Sequence, residues 1–224
     1  GCRLRPVSVV RADDAGRALS ITRAPLRGVA RRPTYAADVM TAPDTPSPFV
    51  QALHALREQR LRPEVQLDEV PAPSRIAPFA VALSAEVDPE RSGDEIASGR
   101  FVLLHDPAGQ EAWEGTFRVV TLTRATLEPE LAGDPMLCAA AWTWVTDALA
   151  GVPHRALGGT VTKVVSQSFD ALAERPDTVE VEIRASWSPD GGVGDHLHAW
   201  STVLCTAAGL PPLPEGVTAL PRLR

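Results

Sequence analysis

The sequence predicts an α+β fold, a twisted antiparallel sheet of about six strands with three helices packed mainly on one face. Strand-length segments that alternate apolar and polar residues are separated by short turn-forming stretches, so chain neighbours pair as hairpins. Three further segments open on N-cap or first-turn signals and carry apolar residues at helical spacing. The resulting order is helix, four strands, helix, two strands, helix. No repeat of roughly 20 to 50 residues is present, which removes solenoids and propellers.

Ser47 and Pro48 form an N-cap and first-turn pair, and Phe49, Val50, Leu53 and Leu56 follow at helical spacing until Pro63, giving a helix over about 48–60. Residues 65–70 alternate as a half-buried strand does, and Pro71-Ala72-Pro73 carries the chain onward. Residues 78–87 and 95–105 are apolar segments around a turn at 88–93, and form a hairpin. The stretch 105–111, with Asp106-Pro107-Ala108-Gly109, reads as a loop before a long strand over 116–127. These four strands make an antiparallel meander. Asp134-Pro135 repeats the helix-start signal, and residues 136–150 are apolar on nearly every side, as in a central helix or one covered by a partner.

Residues 160–169 and 178–187 form a second hairpin. In its last strand Val179, Val181, Ile183, Ala185 and Trp187 face the core, while Glu180, Glu182, Arg184 and Ser186 face solvent. A final helix from about Asp195 carries Leu197, Trp200, Leu204 and Ala208 on one stripe and stops at Gly209 before Pro211 and Pro212.

The 224 residues suit one domain, and 44% hydrophobic against 22% charged residues exclude wholesale disorder. No apolar run approaches the roughly 20 residues of a membrane span, and Val7–Val10 is broken at once by Arg11, Asp13 and Asp14, unlike a secretory signal. Three cysteines (Cys2, Cys138 and Cys205) at no metal-like spacing point to a reducing, cytoplasmic compartment. The basic residues are 21 Arg and one Lys, the bias of a GC-rich genome.

Residues 1–39 hold eight Arg and three Asp, a net +5, whereas the remaining 185 carry 14 basic and 25 acidic groups, a net −11. The expected division is a disordered or misassigned extension over 1–46 with Met40 as the physiological start, an α+β domain over 47–210, and a Pro-rich tail over 211–224. The rival reading of the extension is a basic arm for nucleic acid or acidic partners.

Arg62-Pro63-Glu64-Val65, the run Gly99–Gly109, Trp113–Arg118, Leu127–Glu130, Glu182–Trp187 and Cys205–Pro212 stand in one order along the chain. Together these blocks resemble an actinobacterial family known as domain of unknown function 3000, over about residues 47–224. The resemblance implies no activity, ligand or catalytic residue. Through a ribonuclease D-like exonuclease encoded near family members, it implies a link to RNA metabolism.

The densest set of chemically capable side chains lies between His105 and Arg118, and the catalytic candidates there are His105, Asp106, Glu111 and Arg118. His105 and Asp106 supply a base and an orienting carboxylate only if they converge, and strand neighbours point to opposite faces. The competing reading has Asp106 capping a turn and Trp113 capping the core. His196 and His198 sit about 200° apart on a helix and cannot share a metal, and read as a solvated helix start. Glu180, Glu182 and Arg184, opposite Lys163 and Thr162, read as cross-strand salt pairs on a wet sheet face. Gly158-Gly159 and Gly191–Gly194 match no phosphate-binding pattern and read as turns.

No nucleophile elbow occurs, neither Cys138 nor Cys205 has a thiolate-favouring context, and no metal or cofactor is expected. The favoured reading is therefore a non-enzymatic interaction or regulatory module with a protein partner, docking through Trp113, Trp142 or Trp144. The alternative is a small-molecule or RNA-acting enzyme using the 105–118 loop. Nucleic acid is a further candidate partner, which the −11 charge of the body disfavours, and a membrane is not.

Overall fold

The computed structural model describes residues 45–73, 75–88 and 96–210. The extension through residue 44, the tail from 211, most of the 88–93 turn and Cys2 lie outside the described residues. The elements are α1 (Ser47–Glu58), β1 (Val65–Val70), β2 (Phe79–Val87), β3 (Ala97–Gln110), β4 (Gly115–Leu127), α2 (Leu137–Ala148), β5 (His154–Ser166), β6 (Thr178–Pro189) and α3 (Val193–Ala207). The six strands form one antiparallel sheet in the order β1-β2-β3-β4-β6-β5, and the sheet is not closed. The first four are the expected meander. After α2 the chain lays β5 on the far edge, and β6 returns between β5 and β4.

All three helices lie on one face, because that face carries the strands' large apolar side chains. Val81, Leu83, Phe101, Leu103, Val119, Val181, Ile183 and Trp187 are buried there with Phe49, Leu53 and Leu56 of α1, Ala141 and Val145 of α2, and Leu197, Trp200 and Leu204 of α3. Two strand glycines let helices approach. A β-carbon on Gly99 would stand 2.9 Å from the Trp200 ring of α3, and one on Gly159 would stand 2.6 Å from the Trp142 ring of α2. Bare backbone at these positions is where an indole seats, which is a recurrent use of glycine inside strands.

Four expectations need correction. The stretch 105–111 is not a loop: β3 runs on to Gln110 and pairs with Gly115, with a register shift between His105 and Gln110, so the Asp-Pro-Ala-Gly run is a bulged strand end. Gly158-Gly159 is no turn either, because β5 starts at His154 and both glycines pair with β6. Thr162 stands opposite Glu182 as expected, but Lys163 pairs with Val181 and reaches back to donate to the carbonyls of Ala132 (2.8 Å) and Asp134 (3.1 Å). Finally, α2 is neither central nor wrapped in large apolar groups. Its outer residues are Ala139, Ala140, Thr143, Thr146 and Asp147, small or polar side chains that solvent accepts.

The opposite sheet face is covered only in part. The short turn 111–113 brings Trp113 onto this face, where it clusters with Ala72, Ala77, Ala80, Ala82, Val102 and Leu104 as a small second core. The Ser188 hydroxyl ties the Trp113 carbonyl to β6. Beyond that cap, the face over β4, β6 and β5 is open.

Candidate functional site

The four catalytic candidates do not meet. His105 faces the helices, 2% exposed, with Phe49 and Phe117 stacked on it at ring-centroid distances of 5.8 and 4.1 Å. Its Nδ1 donates to the Thr116 carbonyl at 3.0 Å, and burial holds its pKa below the ordinary value, so the ring is a neutral core group. Asp106 accepts from the Ala108 amide at 3.0 Å and from Gln110 at 3.1 Å, which is the turn-capping role. Glu111 is exposed at the start of the short turn. Arg118 stands on the other sheet face from His105, because Phe117 is the residue paired with His105.

The tryptophans expected as docking groups all pack against the two cores. Trp113 is 9% exposed, and Trp142 and Trp144 are half-buried against the main core. None belongs to the exposed large apolar side chains among the described residues.

The open face instead carries a groove of about 490 Å³ over β3, β4, β6 and β5. That is the size range of small-molecule sites. The register explains its make-up. One cross-strand row is Val102, Val120, Ser186 and Gly158, and the next is Arg100, Leu122, Arg184 and Thr160. Val120, 39% exposed, and Leu122 are the apolar floor, and Gly158 leaves the β5 side open. Arg100 and Arg184 flank Leu122, two strands or roughly 10 Å apart. Arg184 pairs with Glu182, which also takes Arg124 at 2.6 Å, while Arg100 has no ion pair among the described residues.

Arg118 stands beside this groove and is bonded to Ser186, one of its lining residues. Its Nη2 donates to the Ser186 hydroxyl at 2.7 Å, and its Nη1 donates to the Ala156 carbonyl at 3.0 Å and the Ser188 hydroxyl at 3.3 Å. Ala156 sits in the left-handed region at φ 50°, within the β5 irregularity between Arg155 and Gly158. A non-glycine residue there is strained by of order 1 kcal/mol, and the bond to Arg118 holds it. Burial disfavours the Arg118 charge, and Glu114 offsets that only at a distance.

Comparison with family models matches residues 45–218 to the family described as "Protein of unknown function (DUF3000)". The chain belongs to the DUF3000 family. No curated protein and no solved structure matches this DUF3000 chain. Among its described residues there is no group of three or more His, Cys, Asp or Glu side chains placed to hold a metal, and no helix is long and apolar enough to cross a membrane.

Two further buried groups in the DUF3000 chain concern stability. His196 is 0% exposed, contrary to a solvated helix start, and its Nδ1 accepts from Trp187 Nε1 at 3.0 Å. Burial, with the nearby His154, lowers its pKa to about 4, against a smaller opposing effect of Asp195. His198 is exposed. Burial pushes the Cys205 thiol up to about 11, so it is no nucleophile at neutral pH. The groove carries no sequence motif, since its parts come from four strands, and only the residue types on β4 and β6 hint at it.

Proposed function

We propose that this protein is a non-catalytic binding module whose working surface is the uncovered face of the sheet. One observation carries the reading: the acid–base candidates are dispersed, with His105, Asp106 and Arg118 engaged in local bonds and Glu111 exposed, whereas an apolar-floored groove rimmed by arginines lies open on the face without helices. Acid–base catalysis needs groups converging on one reacting atom. Binding needs only a shaped apolar surface with a few fixed polar groups. A small-molecule ligand that regulates docking of a protein partner fits the interaction role expected from the sequence. The cytoplasm of an actinobacterial cell is the proposed setting, supported by the free thiols and by 21 Arg against one Lys.

Native mass spectrometry of the chain purified gently from its host tests the reading. The expected spectrum shows a retained small molecule that is lost in Val120→Trp, a variant that fills the groove. Retention by Val120→Trp at the wild-type level refutes the assignment to this face.

A further inference from the structure

We infer that the groove takes an aliphatic carboxylate, its head group on the free edge of Arg118 and its chain along Val120 and Leu122. This inference rests on the binding reading above and assigns the ligand's chemistry.

The Arg118 guanidinium has five N–H groups. Both on Nη1 are used, by the Ala156 carbonyl and Ser188, and one on Nη2 is used by Ser186. The Nε–H and the second Nη2–H have no acceptor among the described residues. In a guanidinium the Nε–H and one Nη2–H form an edge spaced for the two oxygens of one carboxylate. On Arg118 this edge lies next to Ser186, which lines the groove. The rest of the fork is already held by β5 and β6, so little side-chain freedom remains to be lost when an anion arrives.

Charge points the same way. The three acceptors of Arg118 are neutral oxygens, and no acidic group of the protein lies within ion-pair distance of it among the described residues. Arg100 adds to the rim a second cation without an ion pair among the described residues. In a domain with an excess of acidic groups outside its first 39 residues, Arg118 and Arg100 thus stand by one apolar strip without an ion pair among the described residues, although Arg184 is paired with Glu182. An amphipathic anion is complementary to that arrangement.

The floor selects the other end of the ligand. Val102, Val120 and Leu122 are aliphatic, and no aromatic side chain lines the groove. Bases of single-stranded nucleic acid are held by aromatic stacking platforms, which this floor does not provide. A flexible hydrocarbon chain is what branched aliphatic side chains cover well.

Titration of the full chain with octanoate, octanol and octyl phosphate, followed by amide NMR and calorimetry, decides the matter. Octanoate is expected to shift the amides of Val120, Leu122, Gly158 and Ser186 and to bind at least ~10-fold more tightly than octanol, about 1.4 kcal/mol. Arg118→Lys keeps the charge, loses the fork, and is expected to lose that preference while leaving octanol unaffected. The wild-type comparison stands even if that variant unfolds. Equal affinity for octanol at the same amides overturns the carboxylate assignment and leaves the binding reading intact. Octyl phosphate binding ~10-fold more tightly than octanoate overturns it in favour of a phosphate site. If none of the three moves a groove amide, the inference falls, and the host-purified spectrum alone then decides whether the face binds anything.

Discussion

Replacing His196 with Asn removes a buried titrating group while keeping an acceptor for Trp187 Nε1, because the Asn amide oxygen stands near the position of the imidazole Nδ1. In the native state Nδ1 accepts, so the neutral ring carries its proton on Nε2, and protonation would set a second N–H against the indole N–H. The native pKa of about 4 lies below the ordinary 6.5 of the unfolded chain. As pH falls, the unfolded chain therefore binds the proton first, and stability that is complete above about pH 6.5 is lost on the way down to about 4. From pH 7.5 to pH 4.5 the loss is about 2.5 kcal/mol, or roughly 5–10 °C in melting temperature for a chain of this size. Urea denaturation of both proteins across this range reads the effect of His196 together with its coupling to His154, since the remaining titrating groups, His105 included, are common to them. The stability difference between wild type and His196→Asn should shrink or reverse by about 2.5 kcal/mol on acidification. Curves that stay parallel would refute a neutral, buried His196.

Three other substitutions probe the packing. Gly159→Val sets a β-carbon 2.3 Å from the Arg184 carbonyl and 2.6 Å from the Trp142 ring, and should cost about 1–3 kcal/mol by chemical denaturation, whereas Gly158→Val meets nothing within 4 Å and should stay within about 0.5 kcal/mol while obstructing the groove. Trp113→Ala should cost about 3–5 kcal/mol, because it empties the small core that caps the open face; a loss under 1 kcal/mol in urea titration would mean the cap is not packed as described. Glu182→Gln breaks two ion pairs whose arginine side chains are 60% and 65% exposed, and thermal melts should register at most about 1 kcal/mol.

Much of this architecture was legible in the sequence, for local reasons. The alternation along β6 is borne out residue by residue, with Val179, Val181, Ile183, Ala185 and Trp187 all buried, because a strand with one covered face must repeat every second residue. The start of α1 beside Pro48 follows from proline placement, although Pro46 and not Ser47 is its N-cap, and α3 begins at Val193 after Gly192, two residues before the expected Asp195. What failed was punctuation. Asp106-Pro107-Ala108-Gly109 has the composition of a turn, yet it prolongs β3 as a bulge, since the paired arm of β4 holds it in register at Gln110. Gly158-Gly159 looks like a turn because the reason for glycine, the Trp142 ring, comes from an element 17 residues earlier.

The candidate site was legible in residue types but not in grouping. Proximity in the chain groups Arg118 with His105, while the fold sets it with Ser186 and Ser188, some 70 residues away and on the other face. The burial of His196 had a readable signal: it precedes Trp200 by four and follows Val193 by three, which places it on the core stripe of α3. Polar type outweighed position in that expectation. The groove had no such signal, since cross-strand rows become neighbours only once β6 inserts beside β4.

The most direct test of the open face as the working surface is an amide chemical-shift map of the labelled chain in a small-molecule extract of its host. Shifts should concentrate at Val102, Val120, Leu122, Gly158, Thr160 and Ser186 and leave α1 and α3 unmoved. Shifts confined to the helical side, around α2 or the exposed end of α3, would contradict the account.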